Sequence, residues 1–149
     1  MRLLIDGDGC PVVDLSLRLA AEFSLKTLIF CDTAHQLERP GAETITVDKG
    51  ADSADFVLVN RVSPGDIVIT QDYGLAAMAL SRGAVPVRQD GLVYNEDNID
   101  GLLTVRAAAQ RIRRGGGRLH GPSKRTAAED QAFAAALRRV IEIGLGESK

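Results

Sequence analysis

The sequence is poor in residues that bind transition metals or form disulfides, with two cysteines and two histidines among 149 residues. Cys10 and Cys31 match neither a zinc ligand set nor the disulfide framework of a small secreted domain, so both are predicted to be free thiols. His35 and His120 stand alone, and neither has a second histidine at the spacing of a metal pair. A zinc site and a disulfide scaffold are therefore disfavoured.

Long apolar runs are missing as well. None approaches the roughly 20 residues that a membrane-spanning helix needs. The first predicted strand starts so early that no space remains for the charged and apolar regions of a signal peptide. We therefore expect a cytoplasmic protein that does not span a membrane. A chain of 149 residues fits one domain, 1–149, and can bury an ordinary core without a structural metal.

The formal net charge of −2 hides an uneven distribution. Residues 1–100 hold 16 of the 20 acids and eight lysines or arginines, whereas residues 101–128 hold seven basic residues and no acid. This pattern is typical of a polyanion-binding surface beside a cation-binding pocket, and it favours nucleic acid or another phosphorylated partner. The alternative is that residues 106–114 form only the solvated face of a helix. The candidate nucleic-acid-binding residues are Arg111, Arg113, Arg114, Arg118, Lys124 and Arg125.

Short apolar runs alternate with segments of helical periodicity, which is the pattern of a βαβ fold. Strands are predicted at 2–5, 27–30, 44–47, 66–70 and 84–88. Helices are predicted at 11–23, 52–62, 73–82 and 98–114, the last one capped by Asn98. A basic, glycine-interrupted segment at about 106–125 precedes a closing helix at about 127–143. The predicted fold is therefore α/β and three-layered, with a mainly parallel sheet of about five strands flanked by helices.

Acidic side chains follow two strands that are predicted to be central. Asp6 and Asp8 come after the first strand, and Asp72 follows the fourth. The carboxyl ends of parallel strands meet in one crevice, so acids far apart in sequence can converge there and share a cation. Because Asp6 and Asp8 are two residues apart on an extended backbone, we expect their side chains to point alike and bind one ion together.

Two further acids, Asp52 and Asp55, lie three residues apart near the start of a predicted helix, where they share a face. Crowded carboxylates raise one another's pKa, and a divalent cation removes that penalty. Ligands that are all oxygen atoms favour Mg²⁺ or Mn²⁺ over Zn²⁺, with Ca²⁺ left open. The structural alternative is that Asp52 only caps the helix and Asp48 only closes a turn. Ordinary cap, turn or surface roles are expected for Asp14, Asp32, Asp66 and Asp90.

The run from Leu4 to Val12 resembles the Asp-Ala-Asp-Ala-Cys-Pro-Val opening of the YaiI/YqxD proteins, also called the UPF0178 or DUF188 family. Later residues match the family in order, namely 48–55, 69–76, 94–95 with 98–100, and 121–122 followed by Arg125 and Phe133. The sequence departs from the family at Gly7 and Gly9, where alanine is usual. That change keeps every candidate ligand but loosens the loop that carries Asp8.

The family is similar to PIN-like and NYN nuclease domains, so the resemblance implies a PIN-like fold and a metal-dependent nuclease acting on RNA. It also implies a catalytic set of Asp6, Asp8, Asp52, Asp55 and Asp72, with Asp6, Asp8, Asp52 and Asp72 as ligands of Mg²⁺ or Mn²⁺. Two alternatives stay open. One is a non-catalytic nucleic-acid-binding regulatory module. The other is a phosphatase of the haloacid-dehalogenase kind, with Asp6 as nucleophile and Asp8 as general acid.

Overall fold

The computed structural model of the protein describes residues 1–32, 37–47, 53–114 and 124–147. Within these ranges the fold is α/β, as predicted, with five strands and five helices. Among the described residues, none of the helices combines the length and the apolar character of a membrane-spanning segment. In chain order the elements are β1 (Arg2–Asp6), α1 (Val13–Glu22), β2 (Lys26–Asp32), β3 (Ala42–Val47), α2 (Ser53–Arg61), β4 (Ile67–Ile69), α3 (Tyr73–Ser81), β5 (Val85–Val87), α4 (Glu96–Arg114) and α5 (Ala127–Glu147).

The five strands form one parallel sheet in the order β3-β2-β1-β4-β5. Strand β1 is central, and the strand order reverses beside it, which is where α/β sheets open a crevice for ligands. In the register of β1 and β4, Ile5 pairs with Ile69. The residues that follow, Asp6 and Thr70, therefore reach the carboxyl edge of the sheet side by side.

The sheet is buried on both faces, which explains the continuous apolar runs in β1, β2 and β4. One face packs against α1 and α5, and the other packs against α2 and α3. This gives the three layers that were predicted, and the arrangement is consistent with a PIN-like fold. The first face buries Leu3, Ile5, Ile29, Leu19, Phe133 and Leu137, and the second buries Leu4, Leu28, Phe30, Leu58, Leu75 and Ala79.

The predicted cap of α4 was wrong by three residues. Asn95 precedes the helix, and its side-chain oxygen accepts hydrogen bonds from the backbone N–H groups of Asp97 and Asn98, both at 2.9 Å. Asn98 returns the interaction, since its side-chain oxygen accepts from the Asn95 N–H at 3.0 Å. This reciprocal pair is a capping box, in which the earlier residue is the cap and the later one supports it.

Helix α5 is held against the loop that follows β5 by a close backbone contact at Gly91. Gly91 has φ +96°, and a Cβ atom at this position would lie 2.7 Å from the carbonyl oxygen of Ala132 in α5. Both the backbone conformation and the lack of space require glycine here. The contact fixes one side of α5 close to the carboxyl edge of the sheet.

We predict that Gly91→Ala lowers the free energy of unfolding by about 1–3 kcal/mol, because it adds a strained φ and a backbone clash. Gly101→Ala is the matched control, since Gly101 lies in α4 and its added Cβ would have no atom within 4 Å. The control should raise the free energy of unfolding by about 0.5–1 kcal/mol through helix propensity. Urea unfolding of the two variants measures both values, and a neutral Gly91→Ala would contradict the proposed docking of α5.

Candidate active site at the carboxyl edge of the sheet

A threonine that was not singled out in the sequence joins the two most promising acids. The Thr70 hydroxyl donates a hydrogen bond to Asp6 Oδ2 at 2.9 Å and accepts one from the Asp72 backbone N–H at 3.0 Å. The Thr70 carbonyl accepts from the Tyr94 hydroxyl at 3.2 Å. Thr70 is fully buried, so its hydroxyl is held in one place. One sequence feature could have identified Thr70. It is a hydroxyl residue that directly follows a buried strand and precedes an acid by two positions.

Asp72 lies beside Asp6 and also caps α3. Its Oδ1 accepts hydrogen bonds from the backbone N–H groups of Gly74 at 2.8 Å and Leu75 at 3.1 Å. A carboxylate has two oxygens and about four lone-pair sites, so a cap on one oxygen is compatible with ligation of a cation. Asp6, Gln71, Asp72 and Tyr73 line one cavity, which we call the acidic cavity.

Three of the other four predicted acids act electrostatically on Asp6. Burial raises the pKa of the half-buried Asp6 carboxyl to about 6, although the hydrogen bond from Thr70 lowers it. The value of about 6 also includes the negative charges of Asp55, Asp72 and Asp8, which raise the pKa of Asp6 in that order of effect. Asp55 belongs to the first turn of α2, and its charge acts on the Asp6 carboxyl. Asp52, the fifth predicted acid, lies outside the described residues, as does Asp48.

Asp8 is oriented differently from the expectation. Directly after β1 the chain turns, because the Gly7 N–H donates to the Phe30 carbonyl at 2.8 Å and the Cys10 N–H donates to the Gly7 carbonyl at 3.1 Å. The Asp8 carboxylate oxygens lie 3.2 and 3.3 Å from the backbone N–H of Asp32, at the end of β2. Asp6 is thus bonded on the β4 side of β1 and Asp8 on the β2 side. The prediction that the Asp6 and Asp8 side chains point alike assumes an extended backbone through Asp8, but the strand ends at Asp6.

The donor set around Asp6 suits a hydrated hard cation. Within the described residues, no three histidine, cysteine, aspartate or glutamate side chains are grouped closely enough to hold a metal ion. Mg²⁺ nevertheless keeps several waters and commonly takes only one or two carboxylates from a protein. The nearby Cys10 is a free thiol, and burial raises its pKa to about 11, so the thiol is protonated in the metal-free protein at neutral pH. The carboxylates therefore fit Mg²⁺ or Mn²⁺ better than Zn²⁺.

An arginine after β5 fixes the aromatic wall of the acidic cavity. Arg88 donates through Nε and Nη2 to the two carboxylate oxygens of Asp90 at 2.8 and 2.7 Å, and through Nη1 to the Tyr73 hydroxyl at 3.2 Å. The Tyr73 ring also makes an edge contact with Tyr94, with 5.9 Å between the ring centroids. Both ends of the Tyr73 side chain are therefore restrained.

The predicted basic residues occupy different environments. Arg125 is half-buried and donates to Asp130 Oδ1 and to the Gln89 carbonyl, both at 2.7 Å, which places it beside the crevice. Lys124 and Arg111 are exposed. Arg113 and Arg114 belong to the last turn of α4, but their side chains are outside the described part of the chain, and so is all of Arg118.

We predict that Asp6→Asn stabilises the metal-free protein at pH 8 and has little effect at pH 4. The Asp6 carboxyl has an ordinary pKa of 3.8 and a folded-state pKa of about 6. Between these values the folded state retains a proton that the unfolded state releases, so wild-type stability falls as the pH rises through this window. Above this pH window, the ionised Asp6 carboxylate costs the folded state about 1–3 kcal/mol, and the uncharged asparagine removes that penalty. Urea unfolding with EDTA measures the gain, with the exposed Asp100→Asn as control.

We also predict that Thr70→Val raises the pKa of Asp6 above about 6, because the hydroxyl that stabilises the ionised carboxylate is lost. Thr70→Ser retains a hydroxyl and should leave that pKa closer to the wild-type value. The carboxyl carbon signal of Asp6, followed by NMR across the pH range, measures this pKa directly. Equal pKa values in the valine and serine variants would show that the hydroxyl does not control Asp6.

Comparison with known proteins agrees with the resemblance seen in the sequence. A sequence profile of the family described as "Uncharacterized BCR, YaiI/YqxD family" matches residues 4–143. A UPF0178 protein of Exiguobacterium sibiricum is 52% identical over 141 residues, which cover 95% of this chain and 96% of the relative. UPF0178 proteins of Clostridium acetobutylicum and Ruminiclostridium cellulolyticum are 43% and 46% identical, covering 97% and 92% of this chain and 99% and 90% of the relatives. The protein therefore belongs to the YaiI/YqxD family, known as UPF0178 or DUF188.

Proposed function

We propose that this protein is a nuclease that uses Mg²⁺ or Mn²⁺ to hydrolyse phosphodiester bonds in RNA. The observation that carries the proposal is the environment of Asp6, a half-buried carboxylate at the end of the central strand, under the influence of the charges of Asp55, Asp72 and Asp8. Such a group of like charges is costly unless a cation compensates it, and perturbed carboxylates concentrate at functional sites. The preference for RNA rests on the resemblance to PIN-like and NYN nucleases.

Asp6 and Asp72 are the first candidates to hold the cation, because both line the acidic cavity. Asp55 and Asp8 are candidates for the remaining protein contacts, directly or through water. Thr70 orients the Asp6 carboxylate, and the backbone N–H groups at the start of α3 orient that of Asp72. A bound divalent ion would supply an activated water and stabilise the leaving oxygen.

The phosphate backbone of a nucleic acid needs positive charge outside the acidic cavity. The exposed Lys124 and Arg111 are suited to this role, since neither is buried against an acidic partner in the described structure. Arg113, Arg114 and Arg118 extend the same basic stretch of sequence. Arg125 is tied to Asp130 and to the Gln89 carbonyl, so its first role is to connect the start of α5 with the loop after β5.

The phosphatase alternative gains less support from the geometry. It needs Asp6 and Asp8 to act on one phosphoryl group, whereas Asp8 is directed to the Asp32 N–H on the other side of β1. The non-catalytic alternative keeps the basic surface but requires no cation. Calorimetric titration separates it from the nuclease: salt-dependent RNA binding without any binding of Mg²⁺ or Mn²⁺ would favour the non-catalytic module.

The proposal predicts that the purified protein cuts end-labelled single-stranded RNA in the presence of Mn²⁺ or Mg²⁺ and that EDTA stops the reaction. Asp6→Asn and Asp72→Asn should each lower the cleavage rate by roughly 100-fold or more, because each removes a charged metal ligand. Both variants should fold, since asparagine also serves as a helix cap and Asp6→Asn relieves a buried charge.

Asp100→Asn is the matched control for this experiment, because Asp100 is an exposed acid on α4. It should cut at the wild-type rate. Circular dichroism and urea unfolding of all three variants exclude loss of fold as the cause of lost cleavage. Cleavage that persists in both the Asp6 and the Asp72 variants would overturn the assignment of the site.

A further inference from the structure

A second cavity adjoins the acidic cavity through Gln71, which lines both. It has a volume of about 260 Å³. Since Gln71 is the sequence neighbour of Asp72, a ligand in this second cavity would lie next to any group bound by the acids. Its other lining residues are Gly9, Pro11, Arg88, Gln89, Asp90, Arg125 and Glu129.

The charges of the second cavity are balanced and do not favour an anion. Arg88 is paired with Asp90 at 2.7 Å, and Arg125 with Asp130 at 2.7 Å. Glu129 adds a further acid to the lining. A phosphate group would have to displace a carboxylate from one of the two guanidinium groups and would also meet Glu129. A neutral, polar ligand is therefore the better match.

Two side-chain amides supply the neutral hydrogen-bonding groups of the side chains that line this cavity. The Gln71 amide N–H donates to the side-chain oxygen of Gln89, and Gln89 is almost entirely buried. Each amide has one oxygen acceptor and two N–H donors, so the pair presents both kinds of group whichever way the two amides are turned. The edge of a nucleobase also carries adjacent donors and acceptors, so it can form hydrogen bonds with such amides.

We propose that the second cavity receives the base of the nucleotide beside the bond that is cut, and that Gln71 and Gln89 recognise its edge. This inference rests on the proposed nuclease function for the position of the base, but the binding of a base can be measured without cleavage. It makes Gln71 and Gln89 specificity-determining residues, and it assigns to the restrained Arg88 the role of shaping the cavity rather than binding phosphate.

The first test measures nucleotide binding by NMR with ¹⁵N-labelled protein and Mg²⁺. Titration with the four nucleoside 5′-monophosphates should shift the side-chain amide signals of Gln71 and Gln89 for at least one base, whereas ribose 5-phosphate should leave them in place. Gln71→Ala should weaken that binding about five- to tenfold, the effect of one lost neutral hydrogen bond. Gln131→Ala, at an exposed position of α5, should bind like the wild type.

The second test reads base preference from cleavage of a random single-stranded RNA pool. The wild type should show a bias at one position next to the cut, and Gln71→Ala or Gln89→Ala should flatten it while Gln131→Ala retains it. Gln71 is exposed, so its substitution tests the inference even if the buried Gln89→Ala variant does not fold.

The outcomes separate this inference from the proposed function. Metal-dependent cleavage without base bias, or equal NMR shifts with ribose 5-phosphate, would overturn the base-binding cavity and leave the nuclease proposal intact. Base-dependent shifts of the Gln89 amide signals that need five- to tenfold more nucleotide in Gln71→Ala, together with no cleavage of any RNA, would contradict the nuclease proposal and support the cavity as a nucleotide-binding site. An absence of shifts with all four nucleotides would also overturn the inference.

Discussion

The candidate site depends on the parallel register of β1 and β4. Because Ile5 is paired with Ile69, Asp6 and Thr70 leave the sheet as neighbours, close enough for the 2.9 Å hydrogen bond between them. The same hydroxyl accepts the N–H of Asp72, and this residue begins α3 by capping it. A shift of one residue in this pairing would reverse the faces of the strand and separate all three groups.

Within the candidate site, some interactions stabilise the ionised form of Asp6 and others destabilise it. The hydrogen bond from Thr70 favours the ionised form of Asp6, but burial and three neighbouring carboxylates act against it and leave the pKa at about 6. At neutral pH the protein therefore carries a charge that the fold does not fully compensate. The apolar packing on both faces of the sheet offsets this cost. Local instability of this kind is common where a protein must bind a cation or react.

Local sequence signals were sufficient for most of the fold. The apolar runs and helical stripes predicted five parallel strands and their order along the chain, because burial on both faces leaves a continuous apolar pattern. They were less reliable at element ends. The sequence pattern predicts Asn98 as the cap of α4, but Asn95 holds that position, since two asparagines three residues apart can each satisfy N–H groups at a helix start. The actual α5 also continues to Glu147, past the predicted end at 143.

The α/β class, the family, and the placement of Asp6 and Asp72 after central strands could be predicted from local features of the chain, because strand-end position and apolar pattern are local properties. Which groups meet follows from the tertiary structure. It linked Asp6 to Thr70, directed Asp8 to the amide of Asp32, and joined Gln71 to Gln89 across 18 positions. These contacts depend on the order and register of the strands and on the turn after β1. No periodicity in the sequence encodes such distances, since they arise only when separate elements pack together.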